Sequence, residues 1–369
     1  MLNFAGHLPI IIWIVWTFLV GAAVGSLLNV CIARLPLEKS ILWPLGSRCG
    51  NCLQAIAWYD NIPLLSYWWL RGRCRRCGCQ FSMRYFFVEL FTACLFAGIF
   101  YLLVIADVHQ SGFIRANAWN IRSGALPWQA WVWVIQHWTL AGFLIVAAAC
   151  DIESREIPLV VTITGTVVGL LFSLALPWPW PEDVRIVPGP APAWWALMAP
   201  AQIPVGAQIW PFWGPLPDGF AVGSHLSGLT TGLVGLLTGT FLLRAVRFLA
   251  TRGLGREALG LGDADMMMMV GAFFGWQVVV VGFFVGALAT LGLAIVQLVV
   301  FHDDSLPFGP GLAVGSLAAA LAWNRLGPAF QPLLFNGDLL VPVVGAGGLF
   351  LFILCWIMGR MRGGSQSAE

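Results

Sequence analysis

Long apolar runs alternate with short polar segments along nearly the whole chain. Near-continuous hydrophobic stretches occupy 11–30, 86–106, 128–149, 159–176, 224–243, 265–281, 283–301, 310–323 and 339–358. A helix that crosses the hydrocarbon core of a bilayer needs about 20 mostly apolar residues, so the pattern predicts about nine spans, with Gly282 as the turn between the sixth and seventh. The expected fold class is all-α, a polytopic membrane helix bundle carrying a small cytoplasmic loop domain. The first run continues through Val30 with no small-residue cleavage site behind a basic leader, which predicts a retained anchor and not a removable signal peptide.

Composition narrows the function classes. Of 369 residues, 59% are hydrophobic and 10% charged, against roughly 25% charged in soluble proteins. A soluble enzyme and a disordered chain are both excluded. The net charge of +2 carries no global nucleic-acid footprint. Its distribution is more informative. With the N-terminus outside, alternate loops hold 15 Lys and Arg on one side and 4 on the other. Basic residues concentrate on the cytoplasmic side, so segments 34–85 and 244–264 and the C-terminus are expected there. Segment 177–223 falls outside. It is crowded with proline and with Trp178, Trp180, Trp194, Trp195, Trp210 and Trp213. Prolines exclude a regular helix and the aromatic rings suit the headgroup zone, which predicts an irregular segment on the outer leaflet.

The basic loop 34–85 contains Cys49-Gly50-Asn51-Cys52 and Cys74-Arg75-Arg76-Cys77-Gly78-Cys79. Two Cys-x-x-Cys pairs suit a four-thiolate zinc site, each pair gripping one edge of the tetrahedron. Disulfides are disfavoured in a reducing compartment. Cys49, Cys52, Cys74 and Cys77 are the expected ligands, with Cys79 competing with Cys77. Four thiolates close the coordination sphere, so the metal would be structural and not hydrolytic. Cys31, Cys94, Cys150 and Cys355 lie in or beside apolar runs, where a buried thiol is the ordinary explanation.

Ionisable residues in or at the end of a membrane span are costly and are functional candidates by default. Asp151 directly follows an apolar run, and Gly260-Leu261-Gly262-Asp263-Ala264-Asp265 directly precedes the methionine-rich one. Both fall at the expected cytoplasmic face. Two carboxylates brought together there do not both ionise cheaply. One takes a proton from the attacking water and the other protonates the carbonyl oxygen, the equipment of an aspartic protease. A helix cap or interfacial residue is the plainer reading of either Asp alone. Asp265 competes with Asp263, and Glu153 with Asp151. Gly260 and Gly262 are expected to admit close approach of a substrate strand and positive φ. A transporter or channel using rim carboxylates to move protons or cations is the alternative function, and a non-catalytic assembly factor a third.

The chain resembles the type IV prepilin peptidases, bifunctional leader peptidases and N-methyltransferases among the GxGD intramembrane aspartic proteases. The resemblance rests on Gly25-Ser26-Leu27-Leu28-Asn29-Val30 with Arg34-Leu35-Pro36, then on Trp58-Tyr59-Asp60-Asn61-Ile62-Pro63-Leu64-Leu65-Ser66-Tyr67 with Leu70-Arg71-Gly72-Arg73-Cys74. Arg84-Tyr85 and Glu89, Asp151 with Ile157-Pro158, Gly260 to Asp263 with Gly271 and Gly275-Trp276, and Pro307-Phe308-Gly309-Pro310 continue it in order. Departures are Phe86 where a proline is usual, His302, Asp303 and Asp304 where basic residues are expected, and a gap of 112 residues between the aspartates. The insertion 177–223 accounts for the excess length.

The resemblance implies cleavage of prepilin or pseudopilin leaders, as in type IV pilus and type II secretion systems, followed by S-adenosylmethionine-dependent methylation of the new N-terminal residue, usually Phe. It implies Asp151 and Asp263 as catalytic residues, the four cysteines as zinc ligands, and a multi-pass protein of the bacterial inner membrane. No cofactor-binding fingerprint for methyl transfer is legible. The expected organisation is an anchor at 1–33, the zinc loop linked to methyl transfer at 34–85, a peptidase core at 86–323 and an added loop, span and tail at 324–369. Membrane lipid and the protein substrates are the expected partners, nucleic acid is not, and the oligomeric state is not legible.

Overall fold

The computed structural model describes residues 4–41, 43, 46–176, 185–187, 203–205, 224–255, 257, 259–301, 307–334 and 337–366. Most of segment 177–223 therefore lies outside the described residues, as do His302, Asp303 and Asp304. Within that segment Arg185–Val187 pairs antiparallel with Ile203–Val205. Otherwise the regular structure is helical, and it divides into two compact units, Met1–Ser154 and Arg155–Glu369.

The first unit is built on α1 (Phe4–Arg34), α2 (Leu65–Trp69), α3 (Arg84–Phe100), two short helices α4 (Gly112–Ala116) and α5 (Ala118–Arg122), and α6 (Trp128–Ser154). The apolar runs make these helices, and sequence punctuation ends them. At the Leu35-Pro36 step α1 gives way to a single 3-10 turn, since proline cannot continue the ladder. The Arg34 side chain then gathers the following loop by donating to the carbonyls of Ser40, Ile41 and Gly46. Helices α1 and α3 pack closely at Gly25, where a side chain would meet the Glu89 backbone, its Cβ 2.7 Å from Glu89 Cα. Trp138 of α6 stacks on Phe96 of α3 at 4.7 Å and donates its indole N–H to the Phe96 carbonyl, which satisfies the one polar atom that this buried ring carries.

The second unit comprises α7 (Leu159–Ala175), α8 (His225–Leu254), α9 (Leu261–Phe301), α10 (Gly309–Leu321), α11 (Trp323–Leu334) and α12 (Gly337–Gln366). Its core is α9. Met266, Met267 and Met269 are fully buried, so the methionine run is packing and not a surface feature. Small residues let α8 approach, Gly235 and Gly239 lying against the α9 backbone at Gly271 and Met267, the usual device where helices meet in lipid.

Among the described residues, six helices are long and apolar enough to cross a membrane: Leu8–Leu37, Arg84–Ile105, Trp128–Ser154, His225–Leu254, Leu261–Ile295 and Leu339–Ile357. Leu159–Ala175 and Gly309–Leu321 are apolar but shorter. The chain is a multi-pass membrane protein. The turn expected at Gly282 is absent, because Gly282 is helical and packs on Ser316 of α10. The departure from helical geometry inside α9 is at Gly275 (φ 83°, ψ 177°), a conformation open to glycine and strained for other residues.

Candidate functional site

Each expected catalytic aspartate occupies a helix end in its own unit. Asp151 lies in the last turn of α6 and is 9% exposed. Just beyond, Arg155 adopts φ 58° and ends the helix. Asp263 lies in the first turn of α9 and is 7% exposed. A negative charge is favoured at a helix N-terminus and opposed at a C-terminus, so Asp151 is placed where helix formation alone gives a carboxylate no benefit.

The competing acids are engaged elsewhere. Glu153 pairs with Arg84 at the start of α3, and Asp265 lies 3.8 Å from Arg244 of α8. Neither Gly260 nor Gly262 uses the positive φ that a glycine admits, since neither is among the left-handed glycines. Gly262 is instead a packing position: a Cβ there would lie 2.9 Å from Cβ of Ile157. A Cβ on Gly260 would meet only the Asp263 carboxylate and the Gly262 amide, no nearer than 3.8 Å, which leaves open space beside the acid.

The cysteine loop folds as two knuckles of the same geometry. Cys49 O accepts from the Leu53 amide and Cys74 O from the Gly78 amide, both at 2.9 Å. The residue after each second cysteine is left-handed, Leu53 at φ 56° and Gly78 at φ 70°. This turn aims both thiols of a pair to one side. The sulfurs of Cys49, Cys52, Cys74 and Cys77 all lie within 4.8 Å of one another, and Cys49 and Cys77 are 3.7 Å apart. A tetrahedral site with metal–sulfur bonds of about 2.3 Å has sulfur–sulfur edges of about 3.8 Å, so these four thiols fit a metal.

Cys79 stands at the edge, 3.3 Å from Cys49. The Cys79 backbone N–H, followed by the Cys79 thiol, holds the Cys77 thiol down to about 6, whereas hydrogen bonding to Cys49 and Cys77 pushes Cys79 up to about 12. The geometric grouping of Cys77 with Cys49, Cys52 and Cys74 is what favours it as the fourth ligand.

Sequence reasoning gave no site for a methyl donor, but the first unit contains a cavity of about 710 Å³ between the α1 end, the cysteine loop and the start of α3. Asn29, Asp60, Ser66, Tyr67, Tyr85 and Glu89 contribute to its wall. Asn29 is 3% exposed; its amide nitrogen donates to Tyr85 O, and its Oδ1 and the Ser66 Oγ are buried with no hydrogen-bond partner among the described residues. Such orphaned atoms are unusual in folded proteins and suit a polar ligand. Both Asn29 and Glu89 are polar residues inside apolar helices, and that was the signal available in the sequence.

Two families match the chain. The bacterial Peptidase A24 N-terminal domain matches residues 19–103 and the Type IV leader peptidase family residues 138–295. Over residues 138–295 the chain is similar to the type IV leader peptidases. Its relatives include proteins named prepilin leader peptidase/N-methyltransferase. The one from Dickeya chrysanthemi is 29% identical over 89% of this chain and 98% of its own length, and that from Pectobacterium carotovorum subsp. carotovorum 29% identical over 80% and 88%. The Myxococcus xanthus protein is 28% identical over 71% of this chain and 56% of its own length. No solved structure matches the chain.

Proposed function

We propose that this chain cleaves the leader of type IV prepilins or type II secretion pseudopilins at the cytoplasmic membrane face and then methylates the new N-terminal residue. The observation that carries the peptidase reading is the sorting of acids. Asp151 and Asp263 are buried at helix ends, whereas their neighbours in sequence are nearer to solvent, Glu153 exposed and Asp265 only partly buried. In hydrolysis one carboxylate takes a proton from water as it attacks the scissile amide, and the other acid protonates the carbonyl oxygen. Such a pair titrates as a unit.

The proposed membrane arrangement keeps nine spans, with the N-terminus outside and the C-terminus cytoplasmic in the bacterial inner membrane. It requires α9 to cross twice, the break being at Gly275. Zinc is the metal we assign to the four cysteines, with a structural role. Gly50, Asn51 and Cys79 belong both to the knuckles and to the wall of the 710 Å³ cavity, so the metal would shape that wall. We place S-adenosylmethionine in the cavity, whose volume suits a ligand of that size and whose orphaned Asn29 and Ser66 atoms offer it hydrogen bonds.

The test compares the native protein with Asp151→Ala, Asp263→Ala and Asp265→Asn on a prepilin substrate. The first two should abolish cleavage and the third should leave it within a few-fold of native. Cleavage surviving in Asp151→Ala or Asp263→Ala overturns the assignment.

A further inference from the structure

The cavity wall contains an acid that the peptidase chemistry does not use. Glu89 is half-buried on α3. Its Oε2 accepts the Leu64 backbone N–H at 2.8 Å, and the Ser26 hydroxyl of α1 interacts with the same carboxylate. Leu64, which makes this bond, has φ 64°, a strained conformation for a leucine. The chain thus holds this carboxylate in a defined place at some expense to the loop.

The other charged side chains of the wall are committed. Arg34 and Arg48 donate to backbone carbonyls, and Asp60 is gripped by Arg75 through two bonds of 2.8 and 2.6 Å. Among the described residues Glu89 is the acid on this wall that no arginine or lysine pairs with. A cavity with one such anion beside orphaned acceptors, Asn29 Oδ1 and Ser66 Oγ, is built for a cation carrying several N–H donors. The free α-ammonium group of a newly cleaved chain is such a cation, with an ordinary pKa near 7.7–8.0.

We propose that Glu89 binds the α-amino group of the cleaved substrate in this cavity and accepts the proton that must leave before the nitrogen can be methylated. The proposal rests on the methyltransferase reading above. The ammonium nitrogen has no lone pair until one N–H proton passes to the Glu89 carboxylate, which becomes a neutral carboxylic acid. A bound donor would supply an electrophilic methyl on a sulfonium, the N–C bond forming as the S–C bond breaks and the electron pair of that bond leaving with sulfur. Asn29 Oδ1 and Ser66 Oγ accept the remaining N–H groups and aim the nitrogen. The N-methylammonium product departs, and Glu89 returns its proton to water.

The experiment uses the full-length protein in nanodiscs, native and Glu89→Gln, which keeps an oxygen acceptor for the Leu64 amide. The probes are a soluble fluorescent peptide beginning with phenylalanine and its N-acetyl twin, titrated by anisotropy without donor. The native protein should bind the free amine at least tenfold more tightly, and Glu89→Gln should bind both peptides alike. Single-turnover methylation should fall by about 10²-fold or more, the usual contribution of a general base, while leader cleavage on the same preparation continues.

An amine preference that persists in Glu89→Gln, or methylation at the native rate, overturns the proposal. If Glu89→Gln fails to cleave, Glu89→Asp decides by the same titration, since its retained charge should preserve the amine preference, and loss of that preference overturns the proposal. A native protein that neither cleaves nor methylates refutes the functional reading itself, whereas an active native protein matched by Glu89→Gln refutes only the role of Glu89.

Discussion

Gly25→Ala tests whether the close approach of α1 and α3 sets the geometry for methylation. The new Cβ would lie 2.7 Å from Glu89 Cα and 3.1 Å from Thr92 Cβ, where ordinary contact is 3.4–4 Å. The nearest obstacle is backbone, which no rotamer change clears, so the helices must part by about 1 Å. Overpacking of this kind costs about 1–3 kcal/mol. The larger effect is on chemistry, because the shift moves Glu89 away from Ser26 and Asn29 on the facing helix. Misplacement by about 1 Å can cost about 10²-fold in rate, or about 2.7 kcal/mol at 1.36 kcal/mol per decade. Initial rates of leader cleavage and of methyl incorporation, measured on one preparation, should show methylation reduced by about that factor and cleavage within about threefold of native. Native methylation in Gly25→Ala would refute the reasoning, and so would equal loss of both activities in a protein that keeps its metal and its melting transition.

Cys49 is 1% exposed at the centre of the thiol cluster, so Cys49→Ser should drop bound zinc, measured by atomic emission, from about one per chain to near zero and abolish methylation before cleavage. Leu53→Gly should strengthen metal binding, because Leu53 is exposed and held left-handed at φ 56° where the cost to a non-glycine residue is about 1 kcal/mol. Chelator competition should show about a fivefold gain in zinc affinity, and a loss would mean that the leucine side chain itself matters. The Asp60–Arg75 pair should respond to acid. Arg75 holds the Asp60 carboxyl below the usual carboxylate range, first through its hydrogen bonds. A group whose folded-state pKa is depressed contributes stability above its unfolded value of about 3.9 and loses it as pH falls through the folded one. Native protein should therefore destabilise more than Asp60→Asn below about pH 4 in thermal melts, and parallel pH profiles would exclude the pair.

The helices were legible in the sequence because apolar runs have one stable form in a bilayer, where every backbone group must bond within its own segment. What a glycine does inside such a run was not. Gly282, expected at a turn, packs on Ser316, and Gly275, seven residues earlier, breaks the helix. Packing and turning both favour a missing side chain, so composition cannot separate them. The same ambiguity holds at Gly262, which is helical, is pressed against Ile157 and does not use the positive φ open to a glycine. The partners of the neighbouring acids also needed the fold, since the arginines that engage Glu153 and Asp265 are 69 and 21 positions away.

The cysteine spacing was legible and the cavity was not, for one physical reason. A metal site of this type draws its ligands in local pairs, and each Cys-x-x-Cys closes its own turn through one backbone hydrogen bond. The cavity draws Asn29 from α1, Ser66 from α2 in the loop and Glu89 from α3, and Gly25 lets the two long helices approach beside it. The loop then connects the two features. Asp60 and Arg75, fifteen residues apart, pair across it, with Arg75 lying between two expected metal ligands and Asp60 on the cavity wall. A substitution that frees the thiols therefore disturbs the cavity through this pair and through Cys79, while α1 and α3 remain packed. Methylation should accordingly depend on the metal and on Gly25 independently, the first setting the loop wall and the second the helical wall.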